Sequence, residues 1–188
     1  MAARDWSGMR EWMRGLVERS GATVDDWNAR IAGAGIRDEA ALRSFLAKHG
    51  VTGYAQMLLV FETFGYPDFF TATADELIEA QYADRAALRP VYDRVLLAAT
   101  SAGEVSVQAR KTYVSLLTPR RTFAIVKAAT RTRVDLGLRL DGAEPEGRLL
   151  AARGLGNDTI NVRVALAAPD DVDDEVVALL RRAYGAST

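Results

Sequence analysis

The 188-residue chain carries 24 Lys and Arg against 25 Asp and Glu, for a formal net charge of −1, and 49% of its residues are hydrophobic. Such a composition belongs to a globular chain with a real core, and near-neutrality speaks against a chain wholly devoted to nucleic acid, which shows a clear basic excess. The absence of cysteine excludes disulfides, thiolate nucleophiles and zinc–sulfur sites.

The first third reads as helices separated by glycine stops. Trp6, Met9, Met13, Leu16 and Val17 recur at helical spacing up to Ser20-Gly21. Thr23 with Asp26 three residues on is a capping-box-like start for a short helix through Trp27 and Ile31. Asp38 opens the next helix, with Leu42, Phe45 and Leu46 on one face and Gly50 at its end. Thr52 opens a fourth, with Tyr54, Met57, Leu58, Phe61 and Phe64 inward. Gly65-Tyr66-Pro67-Asp68 breaks the pattern and marks the expected division into a helical module, 1–70, and an α+β domain, 71–188.

Thr73 caps a short helix holding Leu77 and Ile78, and a longer helix spans about Arg85 to Thr100. Pro90 lies inside it, so the helix either starts there or bends. After Gly103 the period turns from helical to twofold. Strands are expected around Val105 and Val107, over Thr112 to Leu117, over Thr122 to Ala128, from Arg133 to Leu140, and over Thr159 to Leu166. Alternation of apolar and polar positions predicts a mostly antiparallel five-stranded sheet with one buried and one polar face. A final amphipathic helix carries Val176, Val177, Leu179, Leu180 and Tyr184. The fold class expected is therefore α+β, with about four helices preceding a sheet packed by flanking helices.

Two stretches resemble known bacterial family architectures. Thr23 to Trp27, Lys48-His49-Gly50 and Gly53-Tyr54-Ala55 resemble the helical module called domain of unknown function 4287. Lys111 to Leu116, Phe123 to Val126, Leu136-Gly137-Leu138, Thr159 to Arg163 and the Leu179 to Tyr184 helix resemble the module that often follows it, domain of unknown function 5655. The second resemblance implies a small α+β domain of ligand-binding type, sometimes labelled a transport protein. No apolar segment long enough to span a bilayer supports transport, the longest run being Met57 to Phe61. The strand beginning at Thr159 often has an aromatic residue or histidine near its start in that family, where this chain has Ile160 and Asn161.

No catalytic constellation can be assembled. The single histidine, His49, sits in a last helical turn beside Gly50, where it can serve terminal carbonyls. Asp170, Asp171, Asp173, Asp174 and Glu175 cluster at a helix start, where negative charge offsets exposed N–H groups, and their spacing matches no calcium loop. Gly154-Leu155-Gly156-Asn157 precedes a strand, the reverse of the strand-to-helix order of a phosphate-cradling loop, and reads as a connection with left-handed backbone positions. The tryptophans and methionines read as core, with Trp12 falling off the main apolar stripe.

Charge distribution carries the clearest functional signal. Between residues 104 and 140 eight cations face two acids, a local charge of +6 in a chain that is neutral overall. Arg120 and Arg121 occupy a hairpin turn, but Arg133, Arg139 and Arg163 have strand positions on polar faces. Arginine's planar fork suits phosphate or carboxylate. The expected ligand-binding residues are therefore Tyr113, Lys127, Arg133, Arg139, Asn161 and Arg163, with no catalytic residue, metal or cofactor. The opposing interpretation is a solvated face whose arginines pair with Asp135 and the C-terminal acids. The leading expectation is a non-enzymatic module for a small anionic or aromatic ligand in a cytoplasmic protein. A nucleic-acid-binding protein using 104–140 is the alternative, and no membrane partner is expected.

Overall fold

The computed structural model describes residues 3–4 and 7–188, and it divides into two compact units. The expected contribution of Trp6 lies outside the described residues. The first unit, described over 7–72, holds five helices: α1 (Ser7–Glu18), α2 (Val24–Gly33), α3 (Glu39–Lys48), α4 (Gly53–Phe64) and the single turn α5 (Asp68–Thr71). Capping chemistry fixes where they begin. Thr23 and Asp26 form a reciprocal capping box on α2, and Asp38 accepts from the backbone N–H of Ala41 to start α3. Thr52 precedes α4 without a side-chain capping bond. Met13, Val17, Trp27, Leu42, Leu46, Leu58 and Leu59 fill the unit's core. Trp12, by contrast, is exposed and meets Tyr54 edge-on, with ring centres 5.2 Å apart.

The second unit comprises residues 73–188 together with strand β1 (Ala3–Arg4). Thr73 and Glu76 box the start of α6 (Ala74–Tyr82). A short 3-10 turn at Ala86–Leu88 precedes α7 (Arg89–Thr100), so Pro90 falls in the first turn, where its missing N–H costs nothing. The remaining strands are β2 (Ser106–Ala109), β3 (Val114–Leu117), β4 (Thr122–Ala128), β5 (Val134–Leu138), β6 (Leu150–Ala151) and β7 (Val162–Leu166). Helix α8 (Asp174–Gly185) follows, with Asp173 accepting from the N–H of Val176.

The α+β class and the antiparallel pattern hold, but the expectation of five strands is corrected. Among the described residues the sheet has seven, in the order β1-β2-β3-β4-β5-β7-β6. Strand β1 joins β2 in parallel, and every other neighbouring pair is antiparallel. Each additional strand is two residues long, too short for a period to show. The run expected over Thr159 to Leu166 is strand only from Val162. Asn157 accepts from both the N–H and the hydroxyl of Thr159, an Asx turn that takes this segment out of the ladder.

The pairing register sorts the strand residues onto two faces. Val107, Val114, Leu116, Val126, Leu136, Leu138, Val164 and Leu166 are buried on one face. Helix α8 packs on β4 and β5, α7 packs on α8, and Tyr82 of α6 meets Tyr92 of α7. The opposite parity carries Ser115, Ile125, Lys127, Asp135, Gly137 and Arg163. This second face is where the candidate site forms.

Candidate functional site on the polar sheet face

Two rows of side chains cross this face. Lys127 pairs with Asp135 and Ala165 across β4, β5 and β7, and continuing the β3–β4 register by one residue brings Tyr113 beside Lys127. The next row runs Ser115, Ile125, Gly137, Arg163. Asp135 lies at the junction and is buried, 4% exposed. A buried carboxylate needs partners, and two guanidinium groups provide them. Arg133 Nε lies 2.9 Å from Asp135 Oδ1 and Arg163 donates to the same oxygen at 3.1 Å. Two guanidinium groups thus share one acid, and with Lys127, the cross-strand neighbour of Asp135, the four side chains carry a net charge of +2.

Tyr113 and Lys127 are held by the loop connecting β6 to β7. The Tyr113 hydroxyl donates to the carbonyl of Gly156 at 3.2 Å, and Lys127 Nζ donates to the carbonyl of Gly154 at 2.5 Å. Both glycines have left-handed backbones, with φ of +67° and +86°, as a connecting loop requires. This loop covers part of the face that alternation alone marks as polar: Leu155 and Ile160 close over Gly137, while Asp135 is flanked by Arg133 and Arg163.

Arg139 and Asn161 stand apart from that group. Arg139 Nε is buried without a hydrogen-bond partner, and its nearest carboxylate oxygen, Asp141 Oδ1, is 3.8 Å away. Asn161 uses its amide on the backbone of Leu140, donating to the carbonyl at 2.7 Å and accepting from the N–H at 2.8 Å. It extends the ladder with a side chain where backbone pairing has ended. The structure therefore brings together Tyr113, Lys127, Arg133 and Arg163, and turns Arg139 and Asn161 to other contacts.

Pairing of strand arginines with Asp135 belonged to the opposing interpretation, and Arg133 and Arg163 do pair with it; its buried position between them was missed. Sequence reasoning also missed Gly137, although a glycine in mid-strand signals close approach of another group. The C-terminal acids, in turn, do not reach the strand arginines. Asp171 accepts from the N–H groups of Ala167 and Ala168, and Arg148 bridges Asp173 and Glu175. The N–H groups of Ala167 and Ala168 hold the Asp171 carboxyl below the usual carboxylate range, and the N–H of Val176, with Arg148, does the same for Asp173. His49 caps the end of α3, its Nδ1 2.8 Å from the carbonyl oxygen of Phe45.

The family model for domain of unknown function (DUF5655) matches residues 78–187. The chain belongs to this family. The match contains the whole of the cluster around Asp135 and the loop above it. Neither a curated protein nor a solved structure matches the chain. Among the described residues no helix of the DUF5655 domain or of the helical unit is long and apolar enough to cross a membrane.

Proposed function

We propose that the DUF5655 domain is a non-enzymatic binding module whose polar sheet face takes a small anionic ligand. One observation carries the reading: Arg133 and Arg163 converge on the buried carboxylate of Asp135, and Lys127 stands opposite it on the neighbouring strand. The carboxylate fixes the two guanidinium groups in place, so their remaining donors are pre-organised at little further entropic cost. The uncompensated charge of the cluster draws an anion to the same corner. Tyr113 adds an aromatic ring and a hydroxyl beside Lys127, consistent with a ligand that also offers an apolar surface. The helical unit, whose Thr23–Trp27, Lys48–Gly50 and Gly53–Ala55 segments resemble domain of unknown function 4287, is a separate accompanying module in this reading.

A thermal-shift screen of nucleotides, acyl anions and aromatic carboxylates tests the proposal on the full chain. Stabilisation by at least one anion class is expected, reduced in Lys127→Met, which leaves the contacts of Arg133 and Arg163 with Asp135 intact. A flat response across the whole panel would discard the reading. Binding of single- or double-stranded nucleic acid that weakens steeply with salt would replace it with a phosphate-backbone function for the 104–140 segment.

A further inference from the structure

The loop above the cluster is seated on this face as a ligand would be. Between Arg153 and Thr159 only Leu155 is buried; its neighbours on either side are exposed or half-buried. Leu155 packs with Ile125 and Ile160 in a small apolar cluster, separate from the core under the helices. Gly137 makes the seat. A Cβ at that position would lie 2.5 Å from Leu155 Cδ1 and 2.7 Å from Ile160 Cγ2, so the hollow exists only because residue 137 has no side chain. On each side of Leu155 a backbone carbonyl takes up a donor of the sheet face: Gly154 receives Lys127, and Gly156 receives Tyr113.

This arrangement matches a charged donor to a poor acceptor. A neutral carbonyl opposite an ammonium group forms a weaker bond than a carboxylate would. The loop is anchored here by one side chain, one such bond from Lys127 and one bond from the neutral Tyr113 hydroxyl, and its flanking glycines bend without steric cost. We infer that Gly154–Gly156 is a displaceable strap and that the uncovered site takes a short branched aliphatic carboxylate. The carboxylate would bind Lys127 and the Tyr113 hydroxyl, and its branched end would replace the Leu155 side chain over Gly137. The hollow admits one leucine-sized group, which sets the chain length. Two donors that now hold two separate oxygens fit the two oxygens of one carboxylate. The inference rests on the preceding assignment of this face to anion binding, and it names the class of anion.

Calorimetric titration of the full chain with isovalerate, acetate and inorganic phosphate tests it, using the wild type, Leu155→Gly, and Leu155→Gly with Lys127→Met. Removing the competing side chain should tighten isovalerate binding by about tenfold or more, the scale set by burial of one leucine. Acetate, which has no branched end, should gain little, and Lys127→Met should abolish the gain for isovalerate. Equal isovalerate affinity in wild type and Leu155→Gly, or an equal gain for acetate, would overturn the strap. If acetate or phosphate binds but isovalerate shows no gain, the strap fails and the anion site stands. If none of the three binds any variant, the strap and its aliphatic carboxylate fall, and the anion reading is decided by the thermal-shift panel. Circular dichroism checks that Leu155→Gly is folded, and Leu155→Ser is read by the same criteria if it is not.

Discussion

At the scale of single residues, the most consequential group is Asp135. Its side chain is 6% exposed, that of Arg163 is 19% and that of Arg133 is 41%. Losing the carboxylate leaves two guanidinium groups crowded together with their shared partner gone. Asp135→Ala should therefore cost about 2–3 kcal/mol in urea unfolding. Because the groups act together, the double variant with Arg163→Leu should be less destabilised than the sum of the single changes. Additive losses would show that the contacts are independent surface pairs. In the helical unit a second cluster makes a pH prediction. Tyr66 and Arg10 both donate to Glu62, and the Arg10 guanidinium lies 4.6 Å from the centre of the Tyr66 ring. Burial and the bond to Glu62 push the Tyr66 hydroxyl up to about 12. Burial of Glu62 would raise its carboxyl, but the bonds from Tyr66 and Arg10 outweigh that and hold it below its ordinary value. A depressed folded pKa stabilises the native state above the unfolded carboxyl value, roughly 4.3, and this contribution fades as pH falls through the folded value. The stability gap between wild type and Glu62→Gln should be widest above about pH 5, near 1 kcal/mol, and close on acidification. A gap that is constant with pH would remove the carboxylate from the explanation.

At the scale of elements, the parts legible in the sequence are those specified by neighbours in the chain. Thr23 with Asp26, and Thr73 by itself, announce their helices because a cap is a local hydrogen bond to the first turn, while the answering bond from the Thr73 N–H to Glu76 is a finding of the structure. The alternation of Val134, Leu136 and Leu138 with Asp135, Gly137 and Arg139 announces β5 for the same reason. What was not legible depends on distant residues. Ala3–Arg4 and Leu150–Ala151 are strands only because β2 and β7 offer them partners. Gly137 is buried because a loop nearly twenty residues further on folds over it, and Asp135 gains Arg163 from a strand still further along the chain. The acidic segment before α8 was readable in kind, since carboxylates at a helix start serve backbone donors, but the bond from Asp171 back to Ala167 and Ala168 was not. Asp173→Ala should lower the melting temperature by about 2–4 °C at neutral pH. The Asp173 carboxyl is held low by the N–H of Val176, so its contribution is present above the unfolded carboxyl value and lost as pH falls through the folded one. The difference from wild type should shrink in strongly acid solution, and scanning calorimetry at two pH values checks it.

At the scale of the whole molecule, the distribution of tryptophan separates the two units experimentally. The chain has three tryptophans, at positions 6, 12 and 27, all ahead of residue 73. Trp27 is 2% exposed within the core of the helical unit, so its emission changes when that core opens. The sheet domain has none, and far-ultraviolet circular dichroism is the signal that includes it. Each unit has its own buried residues and its own capped helices, which are the requirements for separate cooperative transitions. Urea unfolding followed by tryptophan emission should therefore give a midpoint different from that of the circular-dichroism change, which should contain two steps. An anion bound on the Asp135 face stabilises only the state that binds it. Saturating ligand should raise the step belonging to the sheet domain and leave the tryptophan midpoint where it was. Coincident midpoints that move together would mean that the two units unfold as one, and that occupation of the sheet face is sensed at Trp27.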